Sequence, residues 1–345
     1  MPSSDSGSPT APSWAERLFH RITIGSGAVT ETSFDLEQAM FGRAAAALAL
    51  NAPVFVCGLA RAGTSLVTRL LESSGSFATA TYRDMPLPLA PNFWARLSGG
   101  DRRHVDAAER GHGDGLTHDL DSPEAIEEVF WRCFEAERFH RAEGLTPVQP
   151  QGQTITRYRK YVASVALRRG RARYLAKNNN NILRLPALLE AFPDAIFVHP
   201  FRHPDDQVAS LLNQHVRACA LQAVDPFRRA YMQWLGHHEF GSGQLPFLLP
   251  GSPEDRLARD SAAYWRKSWI SVYAHLLAQP PEIRARQLFL DTDALRAEPQ
   301  RFADALARAL GVAGVNAFMV ARKSAPAPPR ADMLYDRLRG AALAA

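Results

Sequence analysis

A glycine loop between an apolar segment and an amphipathic segment is the feature that most constrains the fold of this chain. The loop lies within FVCGLARAGTSLVTRLL, residues 55–71. The apolar run before it is typical of a buried parallel strand, and residues 64–72 carry apolar side chains at the i, i+4 spacing of a helix. A loop in this position directs backbone N–H groups and the positive end of a helix dipole at an anion. The sequence therefore predicts a phosphate-binding loop over residues 58–65.

This loop differs from the loops of ATP- and GTP-hydrolysing proteins. Thr64 stands where such loops carry the lysine that contacts the β- and γ-phosphates. The strand predicted at 195–201 also ends without the acid that usually holds magnesium. Arg61 offers a guanidinium to a phosphate, and Thr64 and Ser65 offer hydroxyls, so a ligand with a 5′-phosphate but no triphosphate fits better. The alternative is that the glycines only form a tight turn between strand and helix.

Strand and helix patterns alternate along the chain as a parallel sheet covered by helices requires. Short apolar runs that predict strands lie at 53–59, 172–177, 195–201 and 286–295. Helical patterns lie at 34–50, 64–72, 154–170, 183–192, from Pro204 onward, and at 299–312. We predict an α/β, P-loop-like three-layer fold with a central, mainly parallel sheet flanked by helices and a helical insertion.

The 345 residues of the chain are enough for one large α/β domain. We assign residues 14–322 to a single domain with the helical insertion at about 75–170, and expect a disordered tail at 1–13 and a C-terminal tail at 323–345. Three scattered cysteines without a CxxC pair argue against a disulfide scaffold or a cysteine zinc site. Because the N-terminus is polar and no apolar run reaches about 20 residues, we expect a cytoplasmic protein without a membrane span.

The glycine loop resembles the 5′-phosphosulfate-binding loop of the sulfotransferases, whose pattern is roughly Pro-[Lys/Arg]-Ser-Gly-Thr-[Thr/Ser]. The chain has ARAGTS at 60–65, the arginine form found in tyrosylprotein sulfotransferases and many bacterial relatives. Alanines replace the proline and the first serine of the pattern. The resemblance implies that the phosphosulfate of the donor nucleotide is bound by Arg61, Ala62, Gly63, Thr64 and Ser65.

A second motif of the same family follows later in the chain. FVHPFRHPDDQVAS contains Arg202 at a predicted strand end and Ser210 eight residues later on the next helix. In the sulfotransferases an arginine and a serine at this spacing bind the 3′-phosphate of the nucleotide, and a guanidinium fork suits that anion. Lys177 matches the position of a lysine in the tyrosylprotein-type enzymes. The matching segments are about 52–72, 174–217 and 286–312.

The resemblance implies in-line transfer of a sulfuryl group from 3′-phosphoadenylyl sulfate (PAPS) to an acceptor hydroxyl or amine, without a metal. Arg61, Lys177 and the loop amides would neutralise charge on the departing phosphate, and a base would take the acceptor proton. The tyrosylprotein-type enzymes use an acid beyond the loop arginine, where Asp84 is the nearest acid in this chain. Other branches use a mid-chain histidine, for which His112 and His118 are candidates, and Asp114 in the same stretch is a further candidate. The alternative to a catalytic role is that Asp84 only forms a local ion pair and that the histidines only belong to a hydrophilic turn.

Two other functions stay open at the level of the sequence: a P-loop kinase-like phosphotransferase, and a nucleotide-binding protein of the same fold without turnover. The missing lysine and acid count against the kinase. The acceptor is a small molecule, a glycan, a lipid or a peptide. Nucleic acid is not expected, because the net charge of +5 is spread over a large chain. The His-His-Glu run at 237–239 is not expected to bind a metal, because adjacent histidines do not face one another.

Overall fold

Five parallel strands form the central sheet of the protein. The computed structural model describes residues 14–99, 108–109, 117–118, 125–254, 257–317 and 332–344. Within them the strands are Val54–Val56 (β1), Phe77–Ala78 (β2), Ala108–Glu109 (β3), Thr117–His118 (β4), Arg173–Lys177 (β5), Ile196–Phe201 (β6) and Gln287–Asp291 (β7). The sheet has the order β2-β5-β1-β6-β7, and every neighbouring pair in it is parallel. β3 and β4 form a separate antiparallel pair.

Helices connect these strands and cover both faces of the sheet. In the described residues they are Trp14–Thr23 (α1), Gly27–Ala46 (α2), Thr64–Glu72 (α3), Pro91–Ser98 (α4), Glu128–Phe139 (α5), Gly152–Arg169 (α6), Leu185–Ala191 (α7), Pro204–Val224 (α8), Pro226–Leu235 (α9), Ala262–Leu277 (α10), Pro281–Arg284 (α11), Thr292–Ala297 (α12), Pro299–Leu310 (α13) and Met333–Ala341 (α14). None of these described helices is both long enough and apolar enough to cross a membrane.

Side chains of the central strand alternate between two apolar layers, one on each face of the sheet. Val54 and Val56 pack with α3 and α13, in a layer that also contains Leu175 of β5. Phe55 and Cys57 belong to the opposite layer, which is built with α6, α7 and α10. Because all of these side chains are fully buried, the sequence here is a continuous apolar run. The alternation along β1 thus builds three layers.

This arrangement confirms the predicted α/β three-layer fold with a mainly parallel central sheet. Most of the predicted elements are observed within a few residues of their predicted limits, but the helix predicted at 34–50 begins earlier, at Gly27, and the pattern at 286–295 covers two elements. The strand there ends at Asp291, because the Asp291 side chain accepts hydrogen bonds from the N–H groups of Asp293 and Ala294 and begins α12. A side-chain cap of this kind ends the extended conformation, so the second half of the predicted strand is helix.

The C-terminal part of the chain packs on the sheet. The sequence predicts a tail at 323–345, whereas 333–341 forms α14 with the Tyr335 side chain buried. Beyond the helix, the N–H of Leu343 donates to the carbonyl oxygen of Phe289 in β7 at 2.8 Å. A helix this short is stabilised by packing rather than by intrinsic propensity, which explains why the sequence pattern did not reveal it.

Glu127 is an acid buried in the core, and its carboxylate accepts hydrogen bonds from several elements. The hydroxyls of Tyr158 and Tyr174 donate to Oε2 at 2.8 and 2.9 Å, and Nδ2 of Asn181 donates to Oε1 at 2.9 Å. Burial, together with the charge of Glu127, raises the pKa of both tyrosines well above its ordinary value. Both hydroxyls therefore keep their protons and remain donors to the buried carboxylate.

Glu128, the next residue, forms a buried ion pair with Arg184. Its carboxylate oxygens accept hydrogen bonds from Nη1 and Nη2 of Arg184 at 2.9 and 3.0 Å, and both side chains are almost completely buried. Nδ2 of Asn178 donates to the same carboxylate at 2.7 Å, and the guanidinium lies over the rings of Trp131 and Phe139. We call Glu127, Glu128 and the side chains bound to them the buried acid network. This network fixes the position of the four asparagines that follow β5, residues 178–181, which we call the asparagine turn.

We expect Arg184→Gln to lower the free energy of unfolding by about 3–5 kcal/mol, because it leaves Glu128 buried without its counter-charge. Urea denaturation followed by circular dichroism measures this change. Arg301→Gln is the matched control: Arg301 pairs with Glu298 at 2.9 Å with both side chains more than half exposed, and such pairs contribute less than about 1 kcal/mol. Equal losses in the two variants would contradict the importance of the network.

Candidate functional site

The parallel strands bring distant segments of the chain to one edge of the sheet. The segments that follow the strands there are the loop 57–63 after β1, the asparagine turn after Lys177, Arg202 and His203 after β6, and Thr292 and Asp293 after β7. β1 lies between β5 and β6. In parallel sheets of this kind, ligands bind in the crevice at the carboxyl ends of the strands.

Two left-handed residues bend the loop between β1 and α3. Gly63 has a φ of 96° and immediately precedes α3, and Arg61 has a φ of 63° although it is not a glycine. Such a conformation costs a non-glycine residue about 1–3 kcal/mol and is concentrated at functional sites. The first N–H groups of α3 have no partner within the helix and carry the positive end of its dipole. The bend therefore presents a helix N-terminus at the edge of the sheet, a group that suits an anion.

Gly63 is also restricted to glycine by its contact with Thr292. A Cβ at position 63 would lie 3.0 Å from Cγ2 of Thr292. Thr292 is fully buried, and its hydroxyl lies 2.8 Å from the carbonyl oxygen of Ala62 and 3.0 Å from that of Phe201. Thr292 thus joins the loop to the ends of β6 and β7. A larger residue at position 63 would displace Thr292 and weaken its hydrogen bonds to Ala62 and Phe201.

Arg61 directly contacts a residue of the second predicted phosphate motif. Its Nε donates a hydrogen bond to Oγ of Ser210 on α8 at 3.0 Å, although the two residues are 149 positions apart in the sequence. The glycine loop and the arginine–serine motif are therefore adjacent in the folded protein.

Asp293 orients Arg202, the other member of that motif. Nε of Arg202 donates to Oδ1 of Asp293 at 3.2 Å, and the backbone N–H of His203 donates to Oδ2 at 2.9 Å. The ion pair with Asp293 is formed by Nε of Arg202, and the two terminal nitrogens of the guanidinium do not take part in it. The helix start after β7 thus supplies an acid that fixes the arginine at the end of β6.

Gln207 connects the loop to α8 and α10 through one buried side chain. Its Nε2 donates to the carbonyl oxygen of Ala60 at 2.9 Å, and its Oε1 accepts from the indole N–H of Trp269 at 3.1 Å. Gln207 and Trp269 are both fully buried. The backbone of the loop is therefore held by the core of the protein rather than by solvent-exposed contacts.

Lys177, the last residue of β5, lies near the partly buried acid Glu239. Burial opposes ionisation of Glu239, but His237, a hydrogen bond from Asn179, and Lys177 outweigh it, so the pKa of Glu239 is below its ordinary value. Nδ2 of Asn179 donates to Oε1 of Glu239 at 3.1 Å. Glu239 is therefore a carboxylate at neutral pH, held beside the strand-end lysine by the asparagine turn.

A cleft of 480 Å³ opens at this edge of the sheet. Arg61, Thr64, Ser65 and Lys177 all line it, so the loop and the lysine share one cavity. Much of the remaining wall comes from α1, α8, α9 and the segment 237–240. Within the described ranges, no group of three or more His, Cys, Asp or Glu side chains is arranged to hold a metal ion.

The structure does not bring every predicted catalytic residue to this cleft. Asp84 is 2% exposed, and its carboxylate accepts hydrogen bonds from Nη2 of Arg169 at 2.7 Å and from the N–H of Thr81 at 2.8 Å. Burial raises the pKa of Asp84, and the charge of Arg169 opposes that shift. Tyr82 lines the cleft, whereas Asp84 is not part of its lining. His112 lies outside the residues that the structure describes.

Three features of the site were missed by the sequence analysis. α9 had a signal that could have been used, since Asp225 is a capping residue and Pro226 follows at the first helical position. The sequence around Glu239 shows it only as the neighbour of two histidines. Asp293 was assigned to a strand, and the pair that it forms with Arg202 has no local pattern.

Comparison with known proteins gives a family match and matches to solved structures. The model of the sulfotransferase family matches residues 53–316. The crystal structure of sulfotransferase STF1 from Mycobacterium tuberculosis H37Rv is similar with a TM-score of 0.51 and 14% identity, over 88% of this chain and 80% of that one. That of sulfotransferase STF9 from Mycobacterium avium has a TM-score of 0.46 and 15% identity, over 89% and 76%. At such identity the first likeness concerns the fold alone. No curated protein sequence gives a significant match.

We expect Gly63→Ala to lower the free energy of unfolding by more than Gly170→Ala does. Both glycines have a positive φ, 96° and 62°, so the backbone cost of alanine is about 1–2 kcal/mol at either position. Nothing lies within 4 Å of a Cβ added at Gly170, whereas at Gly63 the contact with Thr292 is 3.0 Å. Urea denaturation of both variants measures the difference. Equal losses would mean that Thr292 does not restrict the loop.

Proposed function

Because the chain belongs to the sulfotransferase family, we propose that it transfers a sulfuryl group from PAPS to a hydroxyl or amine of an acceptor. The observation that carries this proposal is the hydrogen bond of 3.0 Å between Arg61 and Ser210. It joins a loop suited to a 5′-phosphate group to a motif suited to a 3′-phosphate group. Two anion sites this close together favour a bisphosphate nucleotide over a triphosphate.

The groups that the loop offers fit the phosphosulfate of such a donor. The left-handed conformation of Arg61 and the N-terminus of α3 form a concave set of N–H donors. In this proposal the phosphosulfate is held by backbone N–H groups, one guanidinium and two hydroxyls, from Arg61, Ala62, Gly63, Thr64 and Ser65. When bound, PAPS supplies the sulfuryl group together with a stable leaving group, adenosine 3′,5′-bisphosphate.

Arg202 and Ser210 are proposed to hold the 3′-phosphate. Asp293 accepts from Nε of Arg202 and so fixes the guanidinium plane, and the terminal N–H groups suit a bidentate bond to a phosphate. Oγ of Ser210 accepts from Arg61, which leaves the hydroxyl hydrogen of Ser210 to be donated to a phosphate oxygen. Arg202 and Ser210 can thus keep their hydrogen bonds to Asp293 and Arg61 while they also bind the 3′-phosphate.

Lys177 is proposed to stabilise the leaving phosphate. During in-line transfer, negative charge builds on the oxygen that bridges phosphorus and sulfur, and an ammonium in the same cleft as the loop lowers the energy of that charge. Asp84 and His112 stay predictions as the catalytic base. Asp84 would have to leave Arg169, at 2.7 Å, to meet an acceptor.

We expect adenosine 3′,5′-bisphosphate to bind in the absence of magnesium, as measured by isothermal titration calorimetry. Arg202→Gln should weaken this binding roughly 10- to 150-fold, because a hydrogen bond to a charged group contributes about 1.5–3 kcal/mol. The same variant should leave the affinity for adenosine 5′-monophosphate unchanged, since that nucleotide lacks the 3′-phosphate. Arg61→Gln should weaken the binding of both nucleotides.

Arg96→Gln, a change of an exposed arginine on α4, is the matched control and should alter neither affinity. If Arg202→Gln weakened the two nucleotides equally, Arg202 would not be the 3′-phosphate ligand. Tight binding of ATP with magnesium, without binding of the bisphosphate, would refute the proposed donor and favour a phosphotransferase.

A further inference from the structure

The cleft that contains the loop has an apolar end formed by α8 and α9. The face of α9 that lines it carries Phe227, Tyr231, Met232 and Leu235, which the helical period places on one side. Leu221 of α8 lines the same cavity. The volume of 480 Å³ falls within the range of small-molecule sites, roughly 300–1,000 Å³. The whole cleft is thus large enough for a small molecule, and this part of its wall suits an apolar group.

Aromatic rings supply much of this wall. Phe227 and Tyr231 stack with their centroids 5.8 Å apart and their planes inclined by 24°. The ring of His20 meets Tyr231 edge-on at 5.2 Å, and burial lowers the pKa of His20, so this ring is neutral at neutral pH. Phe240 lines the cleft as well. Rings in such arrangements favour a flat ligand that can stack or pack edge to face.

The charged side chains at the apolar end pair with each other. Asp225 accepts hydrogen bonds from Nη1 and Nη2 of Arg17, each at 3.2 Å, and Nε of Arg228 lies 3.8 Å from Asp225 Oδ2. Oε1 of Gln222 accepts from the N–H of Ser242 at 2.8 Å. These groups already form hydrogen bonds and ion pairs with each other. A charged ligand group buried here would therefore lose its hydration without gaining a partner, which has a large cost in free energy. An uncharged ligand avoids it.

Hydrogen-bond acceptors line the same cleft near Lys177. Oδ1 of Asn179 is buried and has no hydrogen-bond partner within the part of the chain that the structure describes. Glu239 lines the same cavity and is an acceptor in its ionised form. Buried acceptors of this kind are normally satisfied, and a ligand hydroxyl can donate to one of them.

We propose that this cleft binds an uncharged aromatic alcohol and that Glu239 takes the proton from its hydroxyl. The inference rests on the proposed function, because it assigns the acceptor and the base of that reaction. The wall of α8 and α9 holds the ring. The hydroxyl then lies toward Asn179 and Glu239, in the part of the cleft near Lys177.

The acceptor oxygen forms its bond to sulfur as the bond between sulfur and the bridging phosphate oxygen breaks, and the bridging oxygen keeps the electron pair. The acceptor proton moves to the carboxylate of Glu239, which later releases it to solvent. The products are an aryl sulfate and adenosine 3′,5′-bisphosphate. An anionic donor bound beside Glu239 raises the proton affinity of the carboxylate, which makes it a better base than in the free protein.

Glu239→Gln removes the base and keeps an oxygen that can accept from Asn179. With PAPS and phenol, whose pKa is about 10, we expect kcat to fall by roughly 10²- to 10⁴-fold. With a nitrophenol that is ionised at the assay pH, the loss should nearly disappear, because no proton has to be removed. Glu239→Asp should retain part of the activity on phenol. A loss equal for all phenols would overturn the role of Glu239 as the base.

Binding of adenosine 3′,5′-bisphosphate separates failure of this inference from failure of the proposed function. Glu239→Gln should bind the bisphosphate at least as tightly as the wild type, because it removes a negative charge beside the anion. Glu137→Gln, on an exposed position of α5, should change neither binding nor kcat. If the bisphosphate binds and amino sugars or charged peptides are sulfated while phenols are not, the acceptor class is wrong. If the bisphosphate does not bind to the wild type, the proposed function itself is wrong.

Discussion

Two adjacent carboxylates buried in the core, those of Glu127 and Glu128, determine where the polar end of the site lies. A buried charge is tolerated only with a partner in a fixed position, and Arg184 together with the asparagine turn 178–181 supplies those partners. The turn begins directly after Lys177. The lysine is therefore held between a strand in the sheet and a turn that cannot move without exposing or unpairing a buried acid.

The donor side of the site depends on the same sheet in another way. Parallel pairing brings the ends of β1, β6 and β7 together, and side chains from each end then contact the next. Thr292 lies against the glycine of the loop, Asp293 pairs with Arg202, and Arg61 donates to Ser210. The glycine loop and the arginine–serine motif are thus parts of one hydrogen-bonded unit, so the nucleotide site that we propose would be preorganised.

The fold and the donor motifs were predictable because their signals are local. Buried parallel strands are continuous apolar runs, and the glycine loop has its whole pattern within residues 58–65. The buried acid network was not predictable, since four asparagines in a row indicate a turn, and nothing in the sequence shows that the turn is buried. The ion pair of Asp84 joins it to Arg169, 85 positions away. Neither this pair nor the position of Glu239 in the cleft follows from a local pattern.

The central claim is that the loop and the arginine–serine motif hold a sulfuryl donor for transfer into the cleft. The most direct measurement is the transfer of radiolabelled sulfur from PAPS to 2-naphthol in the presence of EDTA, with adenosine 3′,5′-bisphosphate quantified in the same samples. We expect labelled naphthyl sulfate and the bisphosphate in equal amounts. If the nucleotide bound and the label stayed on it with every acceptor tested, the protein would bind the donor without being a transferase, and the account would be contradicted.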